Sequence, residues 1–237
     1  APRDRGVRGL AWVVIRWLFV TKSRLLFLEN VEEFCDWGPI DEEGQPIKAE
    51  RGRTFKAFIA AISTGLPADH PDMPEILAAI GEFVPMEALV RGLGYNAEWR
   101  ERIAANAGAP TIRKRLYLVA RSDGLPIVWP EPVRHKNPTA KQQPWRTAAE
   151  CIDWSNLGKT IFRDKPMALN TRRRVAKGMW RHVITSEKPF IVPMRGTSEA
   201  HTSTHSVDDS ISTISAGSTH HGLVQPVAAP FLTECAN

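Results

Sequence analysis

The sequence predicts an α/β fold, with a partial sheet and its helices over residues 1–123 and a small irregular α+β region over residues 124–237. Three observations lead there. Short continuous apolar runs at 24–28 and 116–120 have the length and composition of strands. Segments with helical spacing lie between them. After Asp123-Gly124 the texture changes: Pro126, Pro130, Pro132, Pro138 and Pro144 fall within 124–145, and the periodicity fades.

Residues 10–20 are apolar nearly all round and predict a buried helix. Arg24-Leu-Leu-Phe-Leu28 has the pattern of a buried parallel strand and runs directly into Glu29-Asn30. Open α/β sheets hold ligands at the carboxyl ends of their strands. Residues 38–53 are rich in Gly, Pro and charge and form a loop. A second helix is expected over 54–64, with Thr54 as its N-cap. The proline-rich stretch 65–85 has the character of an insertion with one short helix near 75–83. A helix at 87–93 stops at Gly94. Strands follow at 95–100 and 116–120, joined through Gly108-Ala-Pro110. In the second region, helices are expected at 148–154 and, strongly basic, at 171–184. From Gly196 the chain is rich in Ser, Thr and His.

The composition, 43% hydrophobic and 24% charged, excludes a wholly disordered or collagen-like chain. The longest apolar run carries Arg16 and falls well short of the ~20 apolar residues of a membrane span. Cys35, Cys151 and Cys235 are too few for a disulfide framework, and no signal-like segment opens the chain, so a cytoplasmic protein is expected. Charge is unevenly placed: 1–24 and 159–188 are basic, whereas 29–50 carries eight acids and only Lys48. Basic segments of this kind suit a polyanion, although solvated helix faces produce the same pattern.

Glu29, at a strand end, suits proton transfer if it faces a ligand; a loop acid or helix cap accounts for the same local pattern. Arg113 and Arg115 before the 116–120 strand suit an oxygen-bearing ligand, or are surface arginines. The histidines at 201, 205, 220 and 221 lack metal-ligand spacing. Cys35 lies in an acidic stretch, which disfavours the thiolate. Gly92-Leu-Gly94 is too little for a phosphate loop.

Several segments occur in a telling order: Arg8-Gly-Leu10, Phe27-Leu-Glu-Asn-Val31, Leu93-Gly-Tyr95, Gly108-Ala-Pro-Thr-Ile-Arg-Lys-Arg-Leu-Tyr-Leu-Val119, then Val207-Asp-Asp-Ser-Ile-Ser-Thr-Ile214 followed by His221-Gly-Leu-Val224. Together they resemble the DNA (cytosine-5)-methyltransferases, especially phage and prophage forms, over nearly the whole chain. The family's Glu-Asn-Val and Gly-x-Pro-Gln-x-Arg-x-Arg motifs carry most of the likeness, with Thr111 in place of the Gln. The Phe-x-Gly-x-Gly cradle for S-adenosylmethionine, the Pro-Cys nucleophile and the carboxyl-terminal Asn-x-Gly motif have no counterpart, and the insertion at 38–85 is long. The first two belong upstream of Ala1, so the resemblance implies a fragment covering the middle of the enzyme.

The resemblance implies a partial Rossmann-like methyltransferase sheet over 1–123 and a target-recognition region over 124–237. In the family a thiolate adds to carbon 6 of cytosine, and the electron density created at carbon 5 attacks the methyl group of S-adenosylmethionine. By resemblance, Glu29 shares a proton with ring nitrogen 3, Asn30 orients the strand-end loop, and Arg115 and Arg113 contact the cytosine O2. Leu10 matches a position lining the cofactor site. The basic helix, through Arg172, Arg173, Arg174 and Lys177, supplies contacts to double-stranded DNA that offset base extrusion. A partner chain carrying the absent motifs would make a split methyltransferase; without one, the chain is a catalytically dead DNA-binding remnant.

Overall fold

The computed structural model describes residues 9–155, 164, 166–185, 188–194, 203–213 and 221–225. Arg8 of the Arg-Gly-Leu segment, the basic residues of 159–163, His201, Ile214, His220 and Cys235 lie outside them. The fold is mixed α/β, with small antiparallel sheets and five α-helices among the described residues. The helices are α1 (Val13–Thr21), α2 (Arg53–Ile62), α3 (Met73–Ile80), α4 (Met86–Arg91) and α5 (Leu169–Gly178). No helix among the described residues is long and apolar enough to cross a membrane. The chain divides into one compact unit of 1–102 and 114–131, and a second of 103–113 and 132–237. The change of texture at 124 thus precedes the division, and the loop 103–113 belongs to the second unit.

The first unit is built on three strands, β1 (Leu25–Asn30), β2 (Asn96–Ile103) and β3 (Lys114–Arg121), in the order β1-β3-β2. β1 is antiparallel to β3, with Leu26 opposite Ala120, Leu28 opposite Leu118 and Glu29 opposite Tyr117. This corrects the expected buried parallel strand. β1 has one covered and one open face, because Leu26 and Leu28 pack on the core while Leu25, Phe27 and Glu29 point away. On β3 the same alternation buries Leu116, Leu118 and Ala120.

The core face is covered by helices. α1 buries Ile15 and Leu18, continuing a short 3-10 turn whose Trp12 is fully buried and donates to Glu75 Oε1 at 3.1 Å. Trp12 packs against Trp37 and Phe58, with ring centroids 4.7 and 6.0 Å apart. Each such side chain contributes roughly 1.5–3 kcal/mol on burial. α2 opens at Gly52, whose φ of 80° favours glycine, and not at Thr54, whose side chain is buried inside the first turn. Arg53 ties this end to the insertion through Asp72, at 2.7 Å. α4 closes at Gly92, two residues before Gly94.

In the second unit, β6 (Phe190–Pro193) runs antiparallel to both β7 (His205–Ser206) and β8 (His221–Val224). A minimal parallel pair, β4 (Arg134–His135) with β5 (Gln143–Pro144), lies apart from that sheet. The helix expected at 148–154 is a 3-10 turn over Ala148–Cys151, started by a capping box between Thr147 and Glu150. α5 buries Thr171, Arg174, Val175 and Gly178, spaced i, i+3, i+4, i+7, and a π turn over Met179–Ile184 follows it. A Cβ on Gly178 would come within 2.0 Å of the Phe190 ring, so only glycine permits this approach.

Candidate functional site

Strand alternation assembles the site on the open face of the first sheet. Glu29 faces Tyr117 in the antiparallel register, which makes Arg115 its diagonal neighbour on the same face, within reach of a long side chain. Arg115 Nε stands 3.1 Å from Glu29 Oε1. The arginine side chain is 18% exposed and the carboxylate 49%. An ion pair this exposed is worth only ~0–1 kcal/mol, so it orients the two groups and contributes little to the fold. Arg115 Nη1 donates to Lys114 O at 2.7 Å, leaving Nη2 without an acceptor among the described residues. The face thus presents a half-exposed carboxyl oxygen pair beside a fixed guanidinium N–H edge.

Asn30, next along β1, belongs to the core-facing set. Its Oδ1 accepts from Val31 N–H at 2.8 Å, which turns the chain out of the strand. Beyond the turn, Lys114 lies 2.9 Å from Glu32 and also pairs with Glu101. Hydrogen bonds to Glu101 and then Glu32 hold the Lys114 ammonium well above its usual range. Burial, then Glu101 and Asp36, push the Cys35 thiol up, away from nucleophilic form.

The other predicted residues are placed differently. Arg113 lies in the second unit, where its N–H donates to Thr111 Oγ1 at 3.3 Å and its carbonyl accepts from Ala104 N–H at 2.9 Å. The loop that holds it is fastened to the 207–213 segment: Ile112 N–H donates to Ile211 O and Ile211 N–H to Pro110 O, both at 3.0 Å. Two of the segments that resemble the methyltransferases therefore lie side by side. Leu10 is 64% exposed. Arg172, Arg173 and Lys177 are exposed on α5, but Arg174 is only 2% exposed. The expected run of three surface arginines is corrected to two, because the helical period turns Arg174 onto the buried stripe with Thr171, Val175 and Gly178.

Three residues on the first sheet escaped the sequence reading: Tyr117, opposite Glu29, and the pair Arg100 and Arg102 on β2. The signal for the pair is the alternation Glu98-Trp-Arg-Glu-Arg102, in which Trp99 meets Phe55 edge-on and the even positions face away from the core. No family model, no curated protein and no solved structure matches the chain.

Proposed function

We propose that this chain is the base-holding part of a DNA (cytosine-5)-methyltransferase, acting on double-stranded DNA in the cytoplasm, and that its three-stranded sheet is part of a Rossmann-like methyltransferase sheet. The observation that carries this reading is the pairing of Glu29 with Arg115, from motifs far apart in sequence, on one open sheet face. A cytosine extruded from the duplex offers N3 and O2 side by side on its Watson–Crick edge. Glu29 shares a proton with N3, and Arg115 Nη2 donates to O2. Both actions draw density from the ring, which favours thiolate addition at carbon 6 and leaves density on carbon 5. A positioned proton donor contributes roughly 10²–10⁴-fold.

No cysteine in the chain follows a proline, and burial pushes the Cys35 thiol up, away from nucleophilic form, so this reading assigns the thiolate to a Pro-Cys motif outside these residues. Leu10 is exposed. The cleft lined by Leu18, Phe19, Lys22, Leu93, Tyr95 and Ser122 holds about 110 Å³, well below the ~300 Å³ of a small-molecule site. These residues do not fit S-adenosylmethionine, and the steps assigned to the chain are confined to the base. The α5 cations Arg172, Arg173 and Lys177 contact backbone phosphates.

The test joins the chain to an amino-terminal segment that carries Pro-Cys and Phe-x-Gly-x-Gly and assays methyl transfer to duplex DNA. Formation of 5-methylcytosine supports the reading. A joined protein that carries Pro-Cys and Phe-x-Gly-x-Gly yet forms none overturns it.

A further inference from the structure

The open sheet face carries a second cationic feature. Arg100 and Arg102 project from β2 on the side opposite Trp99, and the indole of Trp129 lies against both. Their guanidinium carbons are 5.1 and 5.5 Å from the ring centroid, within the range of cation–π attraction. Trp129 is itself fixed, its Nε1–H donating to Glu98 Oε2 at 2.8 Å. One indole thus holds two like charges on the same strand face. Among the described residues, neither arginine has a carboxylate within ion-pair distance, and Arg102 Nη2 is buried without an acceptor. Like charges side by side are unfavourable unless an anion joins them.

Alternation places this pair on the same face as Glu29 and Arg115. Lys114, on the core-facing side of β3, reaches Glu101, so Glu101 marks that side of β2 and its neighbours Arg100 and Arg102 mark the other. Guanidiniums held against one indole lose little freedom on gripping a phosphate oxygen, and Arg100 is exposed to receive one.

We propose that Arg100 and Arg102, braced by Trp129, form a site for one phosphodiester group of the DNA backbone, holding the duplex on the sheet face that presents Glu29. This rests on the methyltransferase reading, and it assigns the first unit a DNA contact of its own, separate from that of α5.

The test is binding of a fluorescently labelled duplex to the full chain by anisotropy, across about 50–200 mM salt. The expected result is that R100Q/R102Q weakens binding roughly tenfold and lowers the salt slope by about 1. R100K/R102K keeps the charge but loses the fork, so it binds several-fold more weakly at an unchanged slope. Wild-type affinity and slope in R100Q/R102Q would overturn the site and leave the methyltransferase reading standing; failure of the wild-type chain to bind duplex would overturn both. Inorganic phosphate binding that is lost in R100Q/R102Q, with DNA binding unchanged, would assign the site to free phosphate and overturn the DNA assignment. If circular dichroism shows R100Q/R102Q unfolded, R100K/R102K decides: weaker binding supports the site, and wild-type binding overturns it.

Discussion

The two faces of the first sheet use the same strands for opposite purposes. On the core face, Leu116, Leu118 and Ala120 are fully buried beneath the helices. One residue along, the open face shows Phe27 at 73% exposure, and Tyr117, Glu29, Arg115, Arg100 and Arg102 share that face. The difference teaches that the period of two separates stability from chemistry within a few residues. A change on one face acts on folding, and a change on the other acts on what the face holds.

The largest effect expected on stability comes from breaking the core face. Leu118→Ala removes a fully buried side chain and lowers unfolding free energy by about 2–5 kcal/mol, measured by denaturant titration. The second unit gives a matching contrast within one helix. Arg174→Ala, on the buried stripe of α5, costs roughly 1–3 kcal/mol of stability. Arg172→Ala with Arg173→Ala lowers the salt slope of DNA binding by about 2.

A smaller effect concerns the end of the sheet, where Arg121 grips Asp123 through two bonds of 2.9 and 2.8 Å and Arg24 stands 3.7 Å away. The hydrogen bonds from Arg121, helped by Leu125 N–H, hold the Asp123 carboxyl down to about 2, from an ordinary value of 3.8. Because the folded value is the lower one, this clasp contributes fully above about pH 4 and is lost as pH falls through about 2. Asp123→Asn removes that part of the acid dependence, which melts over a pH series would detect. The smallest effect is that of Phe27→Ser on the open face, within about 0.5 kcal/mol by the same denaturant titration. By reducing an exposed apolar patch beside the edge of β1, which no strand among the described residues pairs, it also lowers self-association, read by light scattering.

Much of the first unit was legible in its sequence. The apolar positions at 116, 118 and 120 announce a strand because burial leaves a local imprint, and the run at 10–20 announces a helix. The expected burial of that helix is corrected, since Ile15 and Leu18 face the core while Trp17 and Val20 are 63% and 57% exposed. The antiparallel pairing of β1 was not legible, since Leu25 and Phe27 look like core residues and the open face they occupy is set by a partner strand distant in sequence. Thr54 resembled a cap because the role of Gly52 depends on its positive φ, which one residue type only hints at. Arg174 was misplaced for a different reason: three consecutive arginines suggest a surface, whereas Thr171, Val175 and Gly178 at helical spacing mark the buried side. The pairing of Glu29 with Arg115 was not legible, as nothing local in either segment requires it; the family resemblance gave each only a role at the base. Arg100 and Arg102 stayed hidden because Trp129, which braces them, falls in a proline-rich stretch without periodicity.

The central claim is that the open face presents Glu29 as a proton-sharing group to cytosine. Its most direct test is single-turnover methylation by the joined protein carrying Glu29→Gln, which keeps size and hydrogen bonding but cannot share the proton. The rate should fall roughly 10²–10⁴-fold, about 3–5 kcal/mol of barrier. Duplex affinity should hold within about twofold, because it comes from phosphate contacts. A Glu29→Gln protein that methylates at near the wild-type rate would contradict the account and leave Glu29 as a surface partner of Arg115.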